Sequence, residues 1–279
     1  MQLSDRLTRL SPRKQQAYHA LLDRAKSRRS EVASGLLPLT RNSGRCTYPL
    51  SFAQQRFWVM EQFEPGTATY SIPCVRRLRG TVEVGILCAS IQEVVRRHEI
   101  LRTRIALVDG QPVQVVEPGL AVEMPFTDLR SLNAEDRQRE VATRKERHER
   151  QPFDPGRGPL FRFELVRLDE KEYLLLATFH HMVMDGWSSQ LFFRDLTVAY
   201  QSALRGKAES LPPLAVQYGD YAVWQRKWLQ GETLESQLAY WRRQLADLRP
   251  LDLPSDRPRS AVASHRGATV HFSLSTELT

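Results

Sequence analysis

The chain has 279 residues, of which 41% are hydrophobic and 26% are charged, and its formal net charge is +8. This composition is typical of globular proteins, and the length suffices for one large core or two lobes. No stretch approaches the 18 continuous apolar residues that indicate a membrane-spanning helix, and the N-terminus lacks the apolar core of a signal peptide. We therefore expect a soluble protein that has no membrane partner.

The cysteines indicate the compartment. Cys46, Cys74 and Cys88 are scattered and include no Cys-x-x-Cys pair. Scattered cysteines of this kind are typical of reduced thiols in the cytosol, and they favour neither a disulfide framework nor a zinc site. The sequence predicts a cytoplasmic protein without a bound metal.

The positive charge is concentrated at the N-terminus. Residues 1–45 hold ten Lys or Arg against three Asp or Glu, so they carry +7 of the net charge. Ser11 and Pro12 fit the N-cap and first position of a helix that runs to about Arg29. We predict a basic leader helix and linker over residues 1–47. This leader is either a solvated helix or a docking element for an acidic partner protein. Nucleic acid is not expected as a partner, because no signature of a nucleic-acid-binding domain is present.

A helix is predicted next, over residues 51–63, with Ser51 near its cap. Apolar and long side chains recur at spacings of three and four along one side, which we expect to face the core. These residues are Phe52, Gln55, Arg56, Val59, Met60 and Phe63. Arg56 is the exception among them, because a buried arginine costs desolvation energy unless a carboxylate pairs with it.

Strands and helices then follow one another along the chain. The periodicity predicts a strand over 70–78, an amphipathic helix over 82–98, a hairpin of 104–108 and 112–116 around Asp109-Gly110, a charged helix over 133–151, a half-buried strand over 158–168 and a buried strand over 173–179. His148, in the charged helix, is predicted to be exposed. Two further helices are predicted within residues 217–248, separated near Gly231.

The most informative stretch follows the last of these strands. His180 and His181 come at the strand end, Asp185-Gly186 forms a turn, and helical periodicity resumes from Gln190. Because side chains alternate across a strand, the two histidines should point to opposite faces and are unsuited to share one metal ion. One can face a cavity while the other packs inside. The plainer interpretation is a pair of core histidines beside an ordinary Asp-Gly turn.

The pattern His-His-x-x-x-Asp-Gly at residues 180–186 resembles the signature of the condensation domains of nonribosomal peptide synthetases. These domains belong to the chloramphenicol acetyltransferase-like superfamily of acyltransferases. Three other blocks resemble that family in the same order. Residues 51–58 are similar to its S-x-A-Q-x-R-x-W block, residues 97–103 to R-H-E-x-L-R-T, and residues 218–224 to Y-x-D-Y-A-x-W. The resemblance runs from about residue 48 to residue 279.

The resemblance implies an α/β fold and an organisation in domains. We expect a two-layer chloramphenicol acetyltransferase-like lobe, with a mixed sheet packed against helices, over residues 48–211. Residues 212–279 are expected to hold a helical segment and the start of a C-terminal lobe. The family's later blocks are absent from the sequence, so the second lobe is expected to be largely missing.

The resemblance also implies roles for the residues of the signature. It assigns the cavity-facing role to His181, either as general base towards an acceptor amine or as the group that positions that amine. An imidazole suits either role, because its reference pKa is about 6.5. The backbone N–H of Gly186, at the start of a helix, is suited to support an oxyanion. His180 is expected to pack into the structure and support the site.

Asp185 is implied to be structural, in an ion pair with Arg56 that fixes the loop. Breaking one side of a buried pair costs about 3–5 kcal/mol, so Asp185→Ala would lower soluble yield as well as activity. A Ser-His-Asp triad is disfavoured, because the chain has no G-x-S-x-G elbow. The H-E-x-x-H motif of zinc proteases is also absent.

The implied activity is formation of a peptide bond between an upstream acyl or peptidyl thioester and a downstream aminoacyl thioester. Both substrates would arrive on the 4′-phosphopantetheine arms of upstream and downstream peptidyl carrier proteins. A neighbouring adenylation domain is a further expected partner if the chain continues. This chain itself is expected to bind no cofactor.

Two alternatives stay open. A related acyltransferase would esterify an alcohol, or the domain would epimerise its substrate. A noncatalytic fragment would bind a carrier protein without turning it over. A chain that lacks one wall of the substrate channel is expected to have little or no activity alone, because proximity of the two substrates is lost.

Overall fold

The computed structural model describes residues 36–41, 44–206, 211–249, 251, 254, 270 and 272–276. The chain divides into two compact units between Gln230 and Gly231. The predicted leader helix lies outside the described residues, and the domain boundaries at residues 48 and 212 stay predictions. Within the described ranges, no helix is both long and apolar enough to cross a membrane.

The first unit contains five helices and seven strands among its described residues. The helices are α1 Phe52–Phe63, α2 Val84–Arg97, α3 Ala134–Arg150, α4 Gly186–Leu204 and α5 Tyr218–Trp228, with a 3-10 helix at Glu99–Arg102. The strands are β1 Cys46–Pro49, β2 Ser71–Arg79, β3 Thr103–Val108, β4 Gln111–Val116, β5 Phe126–Asp128, β6 Phe161–Asp169 and β7 Glu172–His180. The described part of the second unit includes helix α6, Gly231–Gln244.

The central sheet is mixed and is covered by helices. Its strand order is β2-β7-β6-β5, with β7 antiparallel to both neighbours and β5 parallel to β6. Alternate residues of β7 enter two different cores: Leu175 packs in one with Ile91 of α2, and Leu176 packs in the other with Val141 of α3. A strand buried on both faces reads as a continuous apolar run. The predicted α/β fold, with a mixed sheet packed against helices, is therefore confirmed.

A second, three-stranded sheet has the order β1-β4-β3. Strands β3 and β4 form the predicted hairpin. Its turn residues Asp109 and Gly110 have φ angles of 51° and 75°. Positive φ at both central positions is what the tight type I′ hairpin turn requires, and Asp-Gly is a favoured pair for it. The hairpin was therefore predictable from the chain's local chemistry.

Helix α1 begins where the sequence predicts but buries a different side. Ser51 forms a capping box, since its Oγ accepts from Gln54 N–H at 3.2 Å and the Gln54 side chain accepts from Ser51 N–H at 3.0 Å. The buried residues of the helix are Gln54, Phe57 and Glu61, whereas Phe63 is 78% exposed. The predicted core side was wrong, because polar side chains on the inward face find specific partners there.

His148 is another residue whose predicted exposure was wrong. It is buried because α3 packs on the sheet, and its Nδ1 lies 3.1 Å from Thr178 Oγ1 while its Nε2 lies 3.4 Å from Glu164. Burial lowers the pKa of His148 against the opposing pull of Glu164. The alternating charges of α3 therefore hide one inward-facing titratable group.

The buried carboxylate of Asp220 ties distant segments together. It accepts hydrogen bonds from Leu39 N–H at 2.9 Å, from Gln217 N–H at 2.7 Å and from the Arg41 guanidinium at 2.6 Å. Arg41 also pairs with Glu99 at 3.1 Å. One arginine thus joins the segment before β1, the 3-10 helix and α5.

Gly219 of α5 allows a close approach to β1. A Cβ built at this position would lie 2.6 Å from Cδ2 of the buried Tyr48 ring. Overpacking of this kind costs about 1–3 kcal/mol. We therefore expect Gly219→Ala to lower the free energy of unfolding, measured by urea denaturation, by that amount.

Gly85→Ala in α2 is the matched control, because a Cβ there meets nothing within 4 Å. Alanine at a compatible helical position should stabilise the fold by up to about 1 kcal/mol. Equal effects of the two substitutions would contradict the close contact between Gly219 and Tyr48.

Candidate functional site

His180, the last residue of β7, is buried and held by two hydrogen bonds. Its Nδ1 accepts from the Met182 backbone N–H at 3.0 Å, and its Nε2 lies 3.2 Å from Oε1 of Glu61. The imidazole is only 2% exposed. Since Nδ1 is an acceptor, the proton of the neutral ring is on Nε2 and points to the carboxyl group.

The surroundings keep this imidazole neutral. Burial, with a smaller repulsion from His181, lowers the pKa of His180 to about 4. Burial also raises the pKa of Glu61, and the nearby Asp154 adds to that effect. His180 is therefore suited to hold the loop rather than to exchange protons at neutral pH.

His181 has the opposite environment. Its backbone N–H donates to Tyr70 O at 2.8 Å, and its exposed imidazole stacks on Phe57, with ring centroids 4.6 Å apart and an interplanar angle of 23°. The two neighbouring histidines thus face different surroundings, as strand alternation predicts. His181 presents its ring to open space while its backbone is fixed to the sheet edge.

The imidazole of His181 lines a cavity of about 510 Å³. This size is within the range of small-molecule sites. The side chains around it are mostly apolar and come from α1, the 3-10 helix, the 181–185 loop, α4 and the segment before α5. Among the residues that the structure describes, no cluster of His, Cys, Asp or Glu could hold a metal ion.

Asp185 and Gly186 form the start of α4. Asp185 is the N-cap, and its Oδ1 accepts from Ser188 N–H at 2.7 Å. That hydrogen bond is the main cause that lowers the pKa of Asp185. A Cβ built on Gly186 would meet nothing within 4 Å. The fold therefore does not require glycine here, and the N-terminus of α4 is open at this point.

The expected ion pair between Arg56 and Asp185 is not formed. Both side chains line the cavity, but no ion pair within the described ranges joins them. Arg56 is exposed, with its Cζ 5.0 Å from the centroid of the Phe57 ring. Asp185 is also exposed and its carboxylate caps the helix. The pair was expected on the premise that Arg56 is buried, and that premise is wrong.

Sequence reasoning missed two acidic residues that support histidines of the site. Glu61 reaches His180, and Asp195 of α4 lies 2.9 Å from Nε2 of His98. Both carboxyl groups are buried. The available signal was a charged residue at a helical position that falls on an inward face, since buried charges require partners.

Comparisons with known proteins agree on one family. The family model described as Condensation domain matches residues 45–279. Phosphinothricin tripeptide synthetase PhsC of Streptomyces viridochromogenes is 38% identical over 280 residues, which is 99% of this chain and 25% of that protein. The linear gramicidin synthase of Brevibacillus parabrevis includes a protein that is 42% identical over 231 residues, which is 82% of this chain and 3% of that protein.

Solved structures share the fold. The X-domain from teicoplanin biosynthesis superposes with a TM-score of 0.69 at 34% identity, covering 83% of this chain and 50% of that one. The starter condensation domain of rhizomide synthetase RzmA gives a TM-score of 0.64 at 22% identity and covers 73% of this chain and 49% of that one. The chain therefore spans about half the length of these structures.

The state of His180 predicts a pH dependence. Its folded pKa of about 4 is below the usual value of 6.5. The unfolded chain therefore binds this proton first as pH falls. The free energy of unfolding should fall between about pH 6.5 and pH 4, by up to about 3 kcal/mol from this group.

The raised pKa of Glu61 acts in the opposite direction in part of this range, so the imidazole itself should be followed by NMR. We expect the His180 ring nitrogens to keep the neutral Nε2–H pattern at pH 5.5. A midpoint at or above pH 6.5 would contradict the buried neutral ring.

The helix cap predicts a modest effect of Asp185→Ala. Loss of an N-cap costs about 1 kcal/mol, and Asp185→Asn should retain most of the cap. Arg56→Ala should change stability by less than about 0.5 kcal/mol. Urea denaturation of the three variants would show this order. A loss of about 3–5 kcal/mol in both alanine variants would instead indicate the buried ion pair.

Proposed function

The chain belongs to the condensation domain family, and we propose that it takes part in forming an amide bond between an acyl thioester and an aminoacyl amine. The observation that carries this proposal is the placement of His181. Its imidazole is exposed in a largely apolar cavity, on a loop that the buried His180 holds in place. The relatives that support the proposal are a tripeptide synthetase and the gramicidin synthase.

The reaction requires one bond to form and one to break. The amine nitrogen attacks the thioester carbonyl, the C–S bond breaks, and one proton passes from the nitrogen to the leaving sulfur. We propose that His181 faces the amine, either accepting this proton or orienting the nitrogen by a hydrogen bond. A positioned general base typically contributes about 10²–10⁴ in rate.

The start of α4 supplies the second element of the proposed site. The first N–H groups of a helix have no partner within the helix, and they favour negative charge. Asp185 uses one of them, on Ser188, as the cap. The N–H of Gly186 is proposed to support the oxyanion, and the open space around this glycine permits a close approach.

The proposed substrates arrive on carrier proteins. Both thioesters would be held by 4′-phosphopantetheine arms, with an adenylation domain as neighbour in the same assembly line, and the chain itself would supply no cofactor. Cys46, Cys74 and Cys88 are free thiols, which supports a reducing, cytoplasmic compartment.

A second candidate is a domain that binds a partner without catalysis. The X-domain has also been solved in a complex with OxyB, and there it is 33% identical to this chain with a TM-score of 0.69. This likeness favours a docking module as the alternative function. A test of amide formation separates the two candidates.

We expect His181→Ala to lower amide formation at least about hundredfold. Because the side chain is exposed, its loss should leave the midpoint of thermal unfolding unchanged. The assay supplies one carrier protein loaded with an acyl group and a second loaded with an amino acid, and the product is followed by mass spectrometry. A hydroxyl acceptor in a parallel reaction tests ester formation.

Gln190→Ala is the matched control, because this residue is exposed on α4 and lies outside the cavity. It should retain full activity. Equal rates for wild type and His181→Ala would contradict the role of the imidazole. Carrier binding without any product in the wild-type protein would favour the docking module.

A further inference from the structure

A second histidine of the cavity is fixed as firmly as the first pair. His98 follows α2, and its Nε2 lies 2.9 Å from Oδ2 of Asp195 in α4. Asp195 is 2% exposed. Burial opposes its ionisation, but hydrogen bonds from His98 and Arg194 outweigh that effect and lower the pKa of Asp195. A carboxylate only accepts hydrogen bonds, so Nε2 of His98 carries the proton.

The backbone on both sides of His98 is held by one amide side chain. Gln217 donates from Nε2 to Arg97 O at 2.8 Å and accepts through Oε1 from Glu99 N–H at 3.1 Å. The imidazole is therefore preorganised by its main chain and by its side-chain partner. A rigid group of this kind loses little freedom when it binds a ligand.

The other ring nitrogen of His98 is available. Within the described part of the chain, its Nδ1 makes no hydrogen bond, and the side chain is 21% exposed and lines the cavity. With the proton on Nε2, Nδ1 presents a lone pair. It can accept a hydrogen bond from an O–H or N–H group that enters the cavity.

The rest of the cavity suits an apolar side chain. Besides His98 and His181, its walls include six aliphatic or thioether side chains, Ile100, Leu101, Met184, Leu191, Leu214 and Val216. A volume of about 510 Å³ exceeds that of any amino-acid side chain. An apolar wall with one fixed polar group is the usual design of a site that reads one polar atom on an apolar ligand.

We infer that this cavity is a side-chain subsite beside His181, in which His98 accepts a hydrogen bond from a donor at the end of an otherwise apolar substrate side chain, such as a phenol. The inference rests on the proposed function, because it assigns the occupant to an acyl or aminoacyl substrate. The plainer role for His98 is one more partner for Asp195, which also pairs with Arg97 at 3.3 Å and Arg194 at 3.0 Å.

The test measures binding, so it does not depend on turnover. The probes are N-acetylcysteamine thioesters of tyrosine and phenylalanine, which differ by one phenolic O–H. Each is used with a free amine, as an acceptor mimic, and N-acetylated, as a donor mimic. Methyl NMR signals of Ile100 and Leu191 report occupation of the cavity in the 279-residue chain.

We expect the tyrosyl probe to bind about tenfold more tightly than the phenylalanyl probe, since one net hydrogen bond gives about that ratio. His98→Phe should remove the preference and still bind the phenylalanyl probe. Arg194→Gln is the matched control, because it removes another partner of Asp195 from a residue outside the cavity wall, and it should keep the preference. The series that shows the preference identifies the substrate concerned.

Equal binding of the two probes by the wild-type chain would overturn the subsite, and so would a preference that survives in His98→Phe. If that variant fails to fold, His98→Leu and the wild-type comparison decide the matter. Amide formation is scored separately. A protein that makes amide bonds without a tyrosyl preference refutes the subsite alone, and a preference in a protein that makes no amide refutes the function alone.

Discussion

The candidate site depends on the two hydrogen bonds of one buried imidazole. His180 accepts from Met182 N–H and faces Glu61, and together these contacts join the end of β7, the following loop and helix α1. A buried ring without partners would destabilise the fold, so both contacts matter for stability as well as for geometry. The loop that they fix carries His181 on one side and delivers the chain into α4 at Gly186.

Segments that are far apart in the chain meet around this loop through polar contacts. Gln54 of α1 reaches Met182 O at 3.4 Å, and Ser51 contacts the Tyr218 hydroxyl at 2.9 Å. Arg41 bridges Glu99 and Asp220. These residues surround the apolar cores instead of filling them. The polar positions of the four sequence blocks are therefore largely structural, and they bring α1, the 3-10 helix and α5 to one cavity.

Local chemistry predicted most of the elements. The turn residues Asp109-Gly110 required positive φ, and the alternation along β7 separated His180 from His181, so short-range rules were sufficient there. The partners of buried charges were not predictable in this way. Arg56 was placed on the inward side of α1 and Glu61 was overlooked, because the apolar stripe of that helix faces outward. Choosing between two faces of a helix requires knowledge of what packs against it.

The most direct test of this account is a scalar coupling across the hydrogen bond from the Met182 amide to Nδ1 of His180, measured in a ¹⁵N-labelled chain at neutral pH. The account predicts a resolved coupling between these two nitrogens, because the amide donates and Nδ1 carries no proton. A proton on Nδ1, or no coupling in a folded chain, would contradict it. In that case the loop that presents His181 would have to be held by other contacts.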